Sequence, residues 1–522
     1  MSSTATMVSP SSRIGAPLIP RLARYAAAGA LLAFCLLSLP LLGREVSLLP
    51  LLDEAGYGDS YIIYDIQRYQ RTGIIYPELS QPPYLPAQYS PFVYVFYSLP
   101  GRVAAWTNPF VGPRLLTLIS FFACAAVVIS IVVVLVPVRF AWAWGMLLLS
   151  SIASMWSWVL QIRGDFPGIF FSLLAIRLLL ARARWSVLLA GLCAGLATQF
   201  KFTFVAAAAA GAVWLLIQRQ WSNVARFAVA AALASVVPYL LFSLREPRML
   251  SQILALSPGI ADVFGDLTFV TQTAGNLVVV LAMFGLPPVV RHFWPRWALL
   301  IIFATVSFAI AGLTDLQAGG NDNYFFETLF AVVPLAVLGT FRLLALAPRN
   351  PVVTFFLVVL FAIHFMAPRV LLFYGQIVTS DTTVASRNDA FRKVEGVLRG
   401  HRILSTIPRL ALIDPQPPLL EPFLLYYLQR LGKIDPEPLF SGIRGGAYGV
   451  VVTSNQAVAY RGLLAIGPDF RAAITSAYRP NCTLGGRLFH LPIRSNVDTH
   501  ELAADLARIG CAPVSAASAA GW

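Results

Sequence analysis

Four short stretches of this 522-residue chain carry side chains able to move a proton or hold an anion. The first, DEAGYGDSYIIYDIQRYQRTGIIYPELSQPPYLPAQYSP, opens with Asp53, Glu54 and Asp59. The second, QIRGDFPGIFF, sets Arg163 and Asp165 just ahead of Pro167. The third, ATQFKFTFV, has Lys201 as its only charge, and the fourth, DLQAGGNDNYFFETLF, places Asn323, Tyr324 and Glu327 after a Gly-rich turn. A carboxylate can accept the proton of an attacking hydroxyl. Ammonium and guanidinium groups can stabilise a departing phosphate.

Each stretch also has a plainer reading. Asp59 suits a helix N-cap, Asp165 a cap or a local pair with Arg163, and Asn323 a capping box. Lys201 can simply snorkel to water. Capping does not account for the Gly, Asn and Tyr clustered around Glu327, a carboxylate about one turn inside an apolar helix that must face protein or a wet cavity.

The elements that carry these residues are set by hydropathy. The chain is 58% hydrophobic and only 12% charged, and its mean hydropathy is +0.72. A soluble surface of this size needs more charge, so the bilayer is the solvent for much of the chain. The net charge of +14 points to topology and anionic lipid rather than nucleic acid. Apolar runs at Leu22–Gly43 and at about 113–137, 140–158, 166–183, 186–200, 202–218, 223–244, 272–290, 297–313, 325–345 and 351–373 predict about eleven transmembrane helices.

With the N-terminus in the cytoplasm, the inner segments hold only basic residues, among them Arg139, Arg219, Arg291 and Arg342, and no Asp or Glu. That sorting follows the positive-inside rule. The expected organisation is a cytoplasmic tail at 1–21, a membrane module at 22–373 with a large outer loop at 44–112, and an extracytoplasmic α/β domain at 374–522. In the loop, a helix over Ser60–Thr72 closed by Gly73 puts Tyr61, Tyr64, Asp65 and Arg68 on one face, and an aromatic interfacial helix follows over Pro91–Trp106. In the tail, Arg387–Gly400 reads as an amphipathic helix, and Tyr448–Ser454 and Arg487–Ile493 read as buried strands. Cys482 and Cys511 could pair if the domain faces an oxidising compartment.

At these residues the chain resembles the GT-C superfamily of polyprenyl-phosphate-sugar-dependent glycosyltransferases, nearest to the bacterial protein-mannosyltransferase-like and aminoarabinose-transferase-like enzymes. The shared layout is an outer loop with early acids and a G-x-x-Y-P…Y-S-P run whose last element is Tyr89-Ser90-Pro91. R-x-D-x-P then opens one helix, G-L-x-x-x-x-K closes another, and G-x-N-x-N-Y-F-x-E comes late in the bundle. Many members carry an adjacent acidic pair in the loop. Asp53–Glu54 is such a pair, but Asp59 stands in the better context, directly before the Tyr-rich helix.

The resemblance implies a GT-C-like bundle in a bacterial inner membrane that transfers a hexosyl or pentosyl group from a polyprenyl-phosphate donor to an envelope glycan, lipid or protein acceptor on the periplasmic face. It implies Asp59 as base, with Asp53 and Glu54 as rivals, and Asp165 orienting acceptor or sugar. Lys201 and Arg163 would hold phosphate, and Tyr64, Arg68, Tyr89, Asn323, Tyr324 and Glu327 would line the substrate pocket. No cofactor is implied with certainty: the family has members with and without a divalent metal, and no metal-ligand spacing stands out here. The rivals from other classes are a lipid or lipid-linked-sugar flippase, which needs polar groups near the midplane and often inverted repeats, and a silent acceptor-binding scaffold.

Overall fold

In the computed structural model the described residues are 38–56, 58–104, 106–136, 138–181, 183–255, 276–292, 295–316, 321–346, 384–454, 467–494 and 497–514, with short pieces between them. The N-terminal tail, most of Leu22–Gly43, the turn 317–320 and the expected span 351–373 lie outside them.

The first outer loop folds into two helices, α1 (Asp59–Thr72) and α2 (Pro91–Val103). Gly73 ends α1 at φ 72°, a left-handed cap that favours glycine. Both helices bury aromatic and aliphatic residues, including Tyr61, Ile62, Ile66, Tyr94 and Tyr97, in one core. The bundle follows with α3 (Val111–Leu135), α4 (Ala141–Ser150), α5 (Asp165–Leu179), α6 (Ser186–Thr198), α7 (Ala206–Ile217), α8 (Trp221–Arg245), α9 (Leu277–His292), α10 (Pro295–Asp315) and α11 (Phe326–Leu346), the last entered through a 3₁₀ turn at Asp322–Phe325.

Among the described residues, four helices are long and apolar enough to cross a membrane: Val111–Leu135, Trp221–Arg245, Pro295–Asp315 and Asp322–Leu346. The others are shorter than hydropathy suggested. The expected helix at 140–158 ends at Ser150, and the chain continues through a short turn of helix at Ala153–Trp156. A hydropathy run does not register such a break, because the residues on both sides of it stay buried and apolar.

Small residues let the bundle close. Gly285 of α9 and Gly339 of α11 face each other where those helices cross. A Cβ on Gly339 would overlap the Leu281 carbonyl, and one on Gly285 the Leu335 carbonyl. On the opposite flank, α8 shows Leu233, Val236, Leu240, Leu241 and Leu244 to the outside, which suits a lipid-facing helix.

Residues 384–514 build an α/β unit. After α12 (Val384–Leu398), strands β1 (Ile403–Ser405), β2 (Val450–Ser454), β3 (Tyr478–Leu484), β4 (Arg487–Pro492) and β5 (Ala512–Pro513) form one sheet in the order β1-β2-β4-β3-β5. The β1–β2 pair is parallel and the rest are antiparallel. Along β2 the side chains alternate: Val450 and Val452 pack with Phe391, Phe489 and Leu506, and Val451 packs with Phe440 and Phe470. Cys482 in β3 is disulfide-bonded to Cys511.

Replacing Gly339 with Val is expected to destabilise the bundle by about 1–3 kcal/mol, the usual range for forcing volume into a packed site. Thermal unfolding in detergent checks this. A melting temperature equal to that of the wild type would show that the α9–α11 crossing has room for a side chain at this position.

Candidate functional site

The third and fourth stretches meet the second at one carboxylate. Asp165 is the first residue of α5 and is 3% exposed. Its Oδ1 accepts from Lys201 Nζ at 3.2 Å and from Asn323 Nδ2 at 3.0 Å. The Lys201 ammonium also lies 3.6 Å from the centre of the Tyr324 ring. Gly164 makes the first of these contacts possible: a Cβ there would come within 2.6 Å of the Phe200 carbonyl oxygen, so only glycine lets the Asp165 turn lie against the Lys201 turn. Burial disfavours the Lys201 ammonium, but Asp165, Tyr324 and Tyr89 together outweigh it and raise the amine above its usual range, so the group stays cationic.

Around this centre, Arg163 stacks 5.0 Å from the Trp158 ring and donates to the Tyr89 hydroxyl at 3.4 Å. The Tyr97 hydroxyl donates to the Arg163 carbonyl at 2.6 Å and meets Thr117 at 2.9 Å, which fixes the Arg163 turn to α2 and α3. Glu327 is 3% exposed, and its buried Oε1 makes no hydrogen bond within normal geometry among the described residues. Asp165, Arg163, Lys201, Asn323, Tyr324, Tyr89 and Glu327 therefore gather at one end of the bundle, at helix termini rather than helix middles.

The first-loop carboxylates separate by environment. Asp59 is not an N-cap: Gly58 holds that position, and no side chain caps the helix. Asp59 is fully buried, with Oδ1 accepting from the Ile162 amide at 3.0 Å and Oδ2 from the Ala55 amide at 3.3 Å. Arg114 Nη2 stands 3.9 Å from the same Oδ2. Burial raises its proton affinity, and Arg114 opposes the shift. Each oxygen accepts from main chain, so Asp59 joins α1 to the turn leading to Asp165.

Glu54 is different. It is half-buried, and its Oε1 accepts from the Ser60 amide at 2.8 Å. Burial, and next the nearby charge of Asp59, push its carboxyl up to about 8. Asp53 pairs with Arg487 Nη2 at 3.0 Å.

Tyr64 and Arg68 belong to another cluster. Arg68 Nη2 holds Asp65 Oδ1 at 2.6 Å and the Ile75 carbonyl at 2.5 Å, and the guanidinium lies 5.4 Å from the Tyr64 ring. Burial pushes Asp65 up to about 7, against the pull of Arg68. The expected shared face of α1 exists, but Arg68 uses it to tie the end of α1 to the following turn instead of reaching toward Lys201.

Three arginines and an asparagine around the first loop were not singled out from the sequence: Arg114, Arg409, Arg487 and Asn388. Only Arg114 had a readable signal, as the one charge within Val111–Leu135. Among the described residues no group of three His, Cys, Asp or Glu side chains converges.

The Glu54 environment sets a pH dependence. Its folded-state proton affinity lies above that of an ordinary carboxyl, so the folded chain keeps a proton that the unfolded chain gives up. Stability from this group is full below about pH 4.5 and is lost as pH rises toward about 8. Glu54→Gln is expected to melt higher than wild type at pH 8.5 and with it at pH 4.5. Parallel melting curves across that range would contradict the assignment.

No protein-family model and no curated protein sequence matches the chain. Solved structures do. A crystal structure of ArnT from Cupriavidus metallidurans in the apo state superposes with a TM-score of 0.55 at 14% identity, covering 89% of this chain and 98% of that one. The structure of the same protein bound to undecaprenyl phosphate gives a TM-score of 0.54 at 14% identity, covering 92% and 99%. The likeness covers most of both chains, and at this identity it is a likeness of fold: the chain has an ArnT-like fold.

Proposed function

We propose that this chain is a membrane glycosyltransferase that moves a hexosyl or pentosyl group from a polyprenyl-phosphate donor to a hydroxyl of an envelope glycan, lipid or protein at the periplasmic face of a bacterial inner membrane. The observation that carries this reading is the meeting of Asp165, Lys201 and Asn323 at one point, from segments up to 158 residues apart, on an ArnT-like fold. The undecaprenyl phosphate bound to the structurally similar ArnT supports a lipid-phosphate donor.

The chemistry is a displacement. The acceptor oxygen bonds to the anomeric carbon, the bond from that carbon to the phosphate oxygen breaks, and the acceptor proton passes to a carboxylate. Glu54 is the best-placed base: it is half-buried, has one oxygen outside its amide contact, and its raised proton affinity suits a group working near neutrality. Lys201 and Arg163 would receive the leaving phosphate, and Asp165 and Asn323 would hold Lys201 in place for it. Tyr89 and Tyr324 would flank the sugar. The acid-free inner segments and the Cys482–Cys511 disulfide support an N-terminus in the cytoplasm and a C-terminal domain in the periplasm. A flippase draws no support, since the polar groups sit at helix ends.

The test is transfer of radiolabelled sugar from polyprenyl-phosphate donors to an envelope extract by the purified full chain. Glu54→Gln is expected to lower kcat by about 10²–10⁴, and Asp59→Asn to keep a measurable rate. If Asp59→Asn alone abolished transfer while remaining folded, the base would be Asp59. Absence of transfer from any donor, with lipid crossing proteoliposome membranes, would remove the transferase reading.

Below about pH 8 the wild-type rate is expected to rise with pH as Glu54 ionises. Lys201→Met should slow transfer at every pH and leave the shape of that rise unchanged. A rate flat between pH 6 and pH 8 would exclude Glu54 as the base.

A further inference from the structure

The loop that bears Asp53 and Glu54 is gripped from the C-terminal domain. The Asn388 amide oxygen accepts from the Leu52 amide at 2.7 Å, and its amide nitrogen donates to the Pro50 carbonyl at 2.9 Å. Arg409 Nε donates to the Leu52 carbonyl at 2.6 Å. Arg487, at the start of β4, reaches Asp53 Oδ2 at 3.0 Å. Leu52 itself packs against the C-terminal core that contains Val450, Phe489 and Leu506. From the bundle side, Arg114 donates to the carbonyls of Leu51 and Asp53, each at 2.6 Å.

Main chain and side chain are thus fixed together. Arg409 is clamped in turn, lying 4.2 Å from the Phe391 ring and 5.4 Å from the Phe110 ring. Domain docking alone would need apolar contact, which Leu420 and Leu424 already supply by packing with Tyr61 and Ile62 of α1. The polar contacts instead concentrate on four consecutive loop residues, Pro50 to Asp53.

We propose that Asn388, Arg409 and Arg487 are positioning residues of the transfer site: the C-terminal domain holds the loop that presents Glu54, with Arg487 neutralising the adjacent Asp53. This rests on the reading of Glu54 as base. The groups that face Glu54 are Asp53 and Asp59 of its own loop, Tyr61 of α1, Arg114 of α3 and Arg409 of the C-terminal domain. Arg487 acts on it only through Asp53. Losing the Arg487 charge leaves Asp53 uncompensated beside Glu54, and like charge makes Glu54 hold its proton more tightly.

The test uses the full-length protein with R487Q, R487K and N388A. For R487Q the rise of rate with pH is expected to move upward by about half a unit or more, so that kcat at pH 7 falls severalfold while KM for the donor stays within about twofold. R487K should return the profile toward wild type. A purely structural role predicts lower yield or melting temperature with an unmoved profile, and that result, or an R487K profile identical to that of R487Q, would overturn the proposal.

Hydrogen–deuterium exchange of the peptide covering residues 49–56 supplies a reading without substrate. N388A should speed exchange there severalfold and leave peptides of α5 and α11 unchanged. Unchanged exchange in N388A would overturn the clamp. If the wild type transfers no sugar from any donor, the transferase reading falls, and the exchange result still decides whether the domain holds the loop.

Discussion

A carboxylate buried at the end of a helix bundle must be given partners, and the Asp165 carboxylate takes them from two distant segments. Lys201 and Asn323 supply an ammonium and an amide to the same oxygen. Breaking such a buried pair by removing one partner costs far more than the pair contributes relative to an apolar core. The arrangement is therefore poor at adding stability and good at fixing geometry. It sets the turn before α5, the turn after α6 and the 3₁₀ turn before α11 in one place, and Tyr324, Arg163 and Tyr89 are positioned as a consequence. Gly164 is the steric condition for this contact, since any side chain there would push the two turns apart.

Asp59 extends the same logic to the outer loop. Its two oxygens accept main-chain amides from Ala55 and Ile162, so a single buried side chain joins the acidic loop, α1 and the Asp165 turn. Arg114 serves the loop from below through carbonyl contacts, and the C-terminal domain serves it from above through Asn388, Arg409 and Arg487. The acidic loop thus lies between the bundle and the C-terminal domain. Preorganisation of this kind lets charged groups act without rearranging as charge develops.

The division of labour among the carboxylates follows from environment rather than residue type. Asp59, Asp53, Asp165 and Glu54 are chemically alike. Asp59 is tied to amides, Asp53 to Arg487, and Asp165 to Lys201 and Asn323, whereas Glu54 keeps an oxygen outside its contact with Ser60 and sits among like charges.

Much of this was legible in the chain alone. The short apolar runs Tyr448–Ser454 and Arg487–Ile493 read as buried strands, which form at Val450–Ser454 and Arg487–Pro492, and Gly73 marked the end of α1. The motifs around Asp165, Lys201, Asn323 and Tyr324 pointed to a shared polar site, because charges inside apolar runs need a reason to be there, and these residues do touch. Tertiary structure alone decided that Asp59 is a brace, that Arg68 serves the Asp65 turn, that the run at 140–158 breaks after Ser150, and that Arg487 meets Asp53 across 434 residues. The reason is physical. Hydropathy and capping act over a few residues and can be read locally, whereas the availability of a carboxylate depends on which donors the folded path brings within about 3 Å of it, and no local pattern encodes that distance.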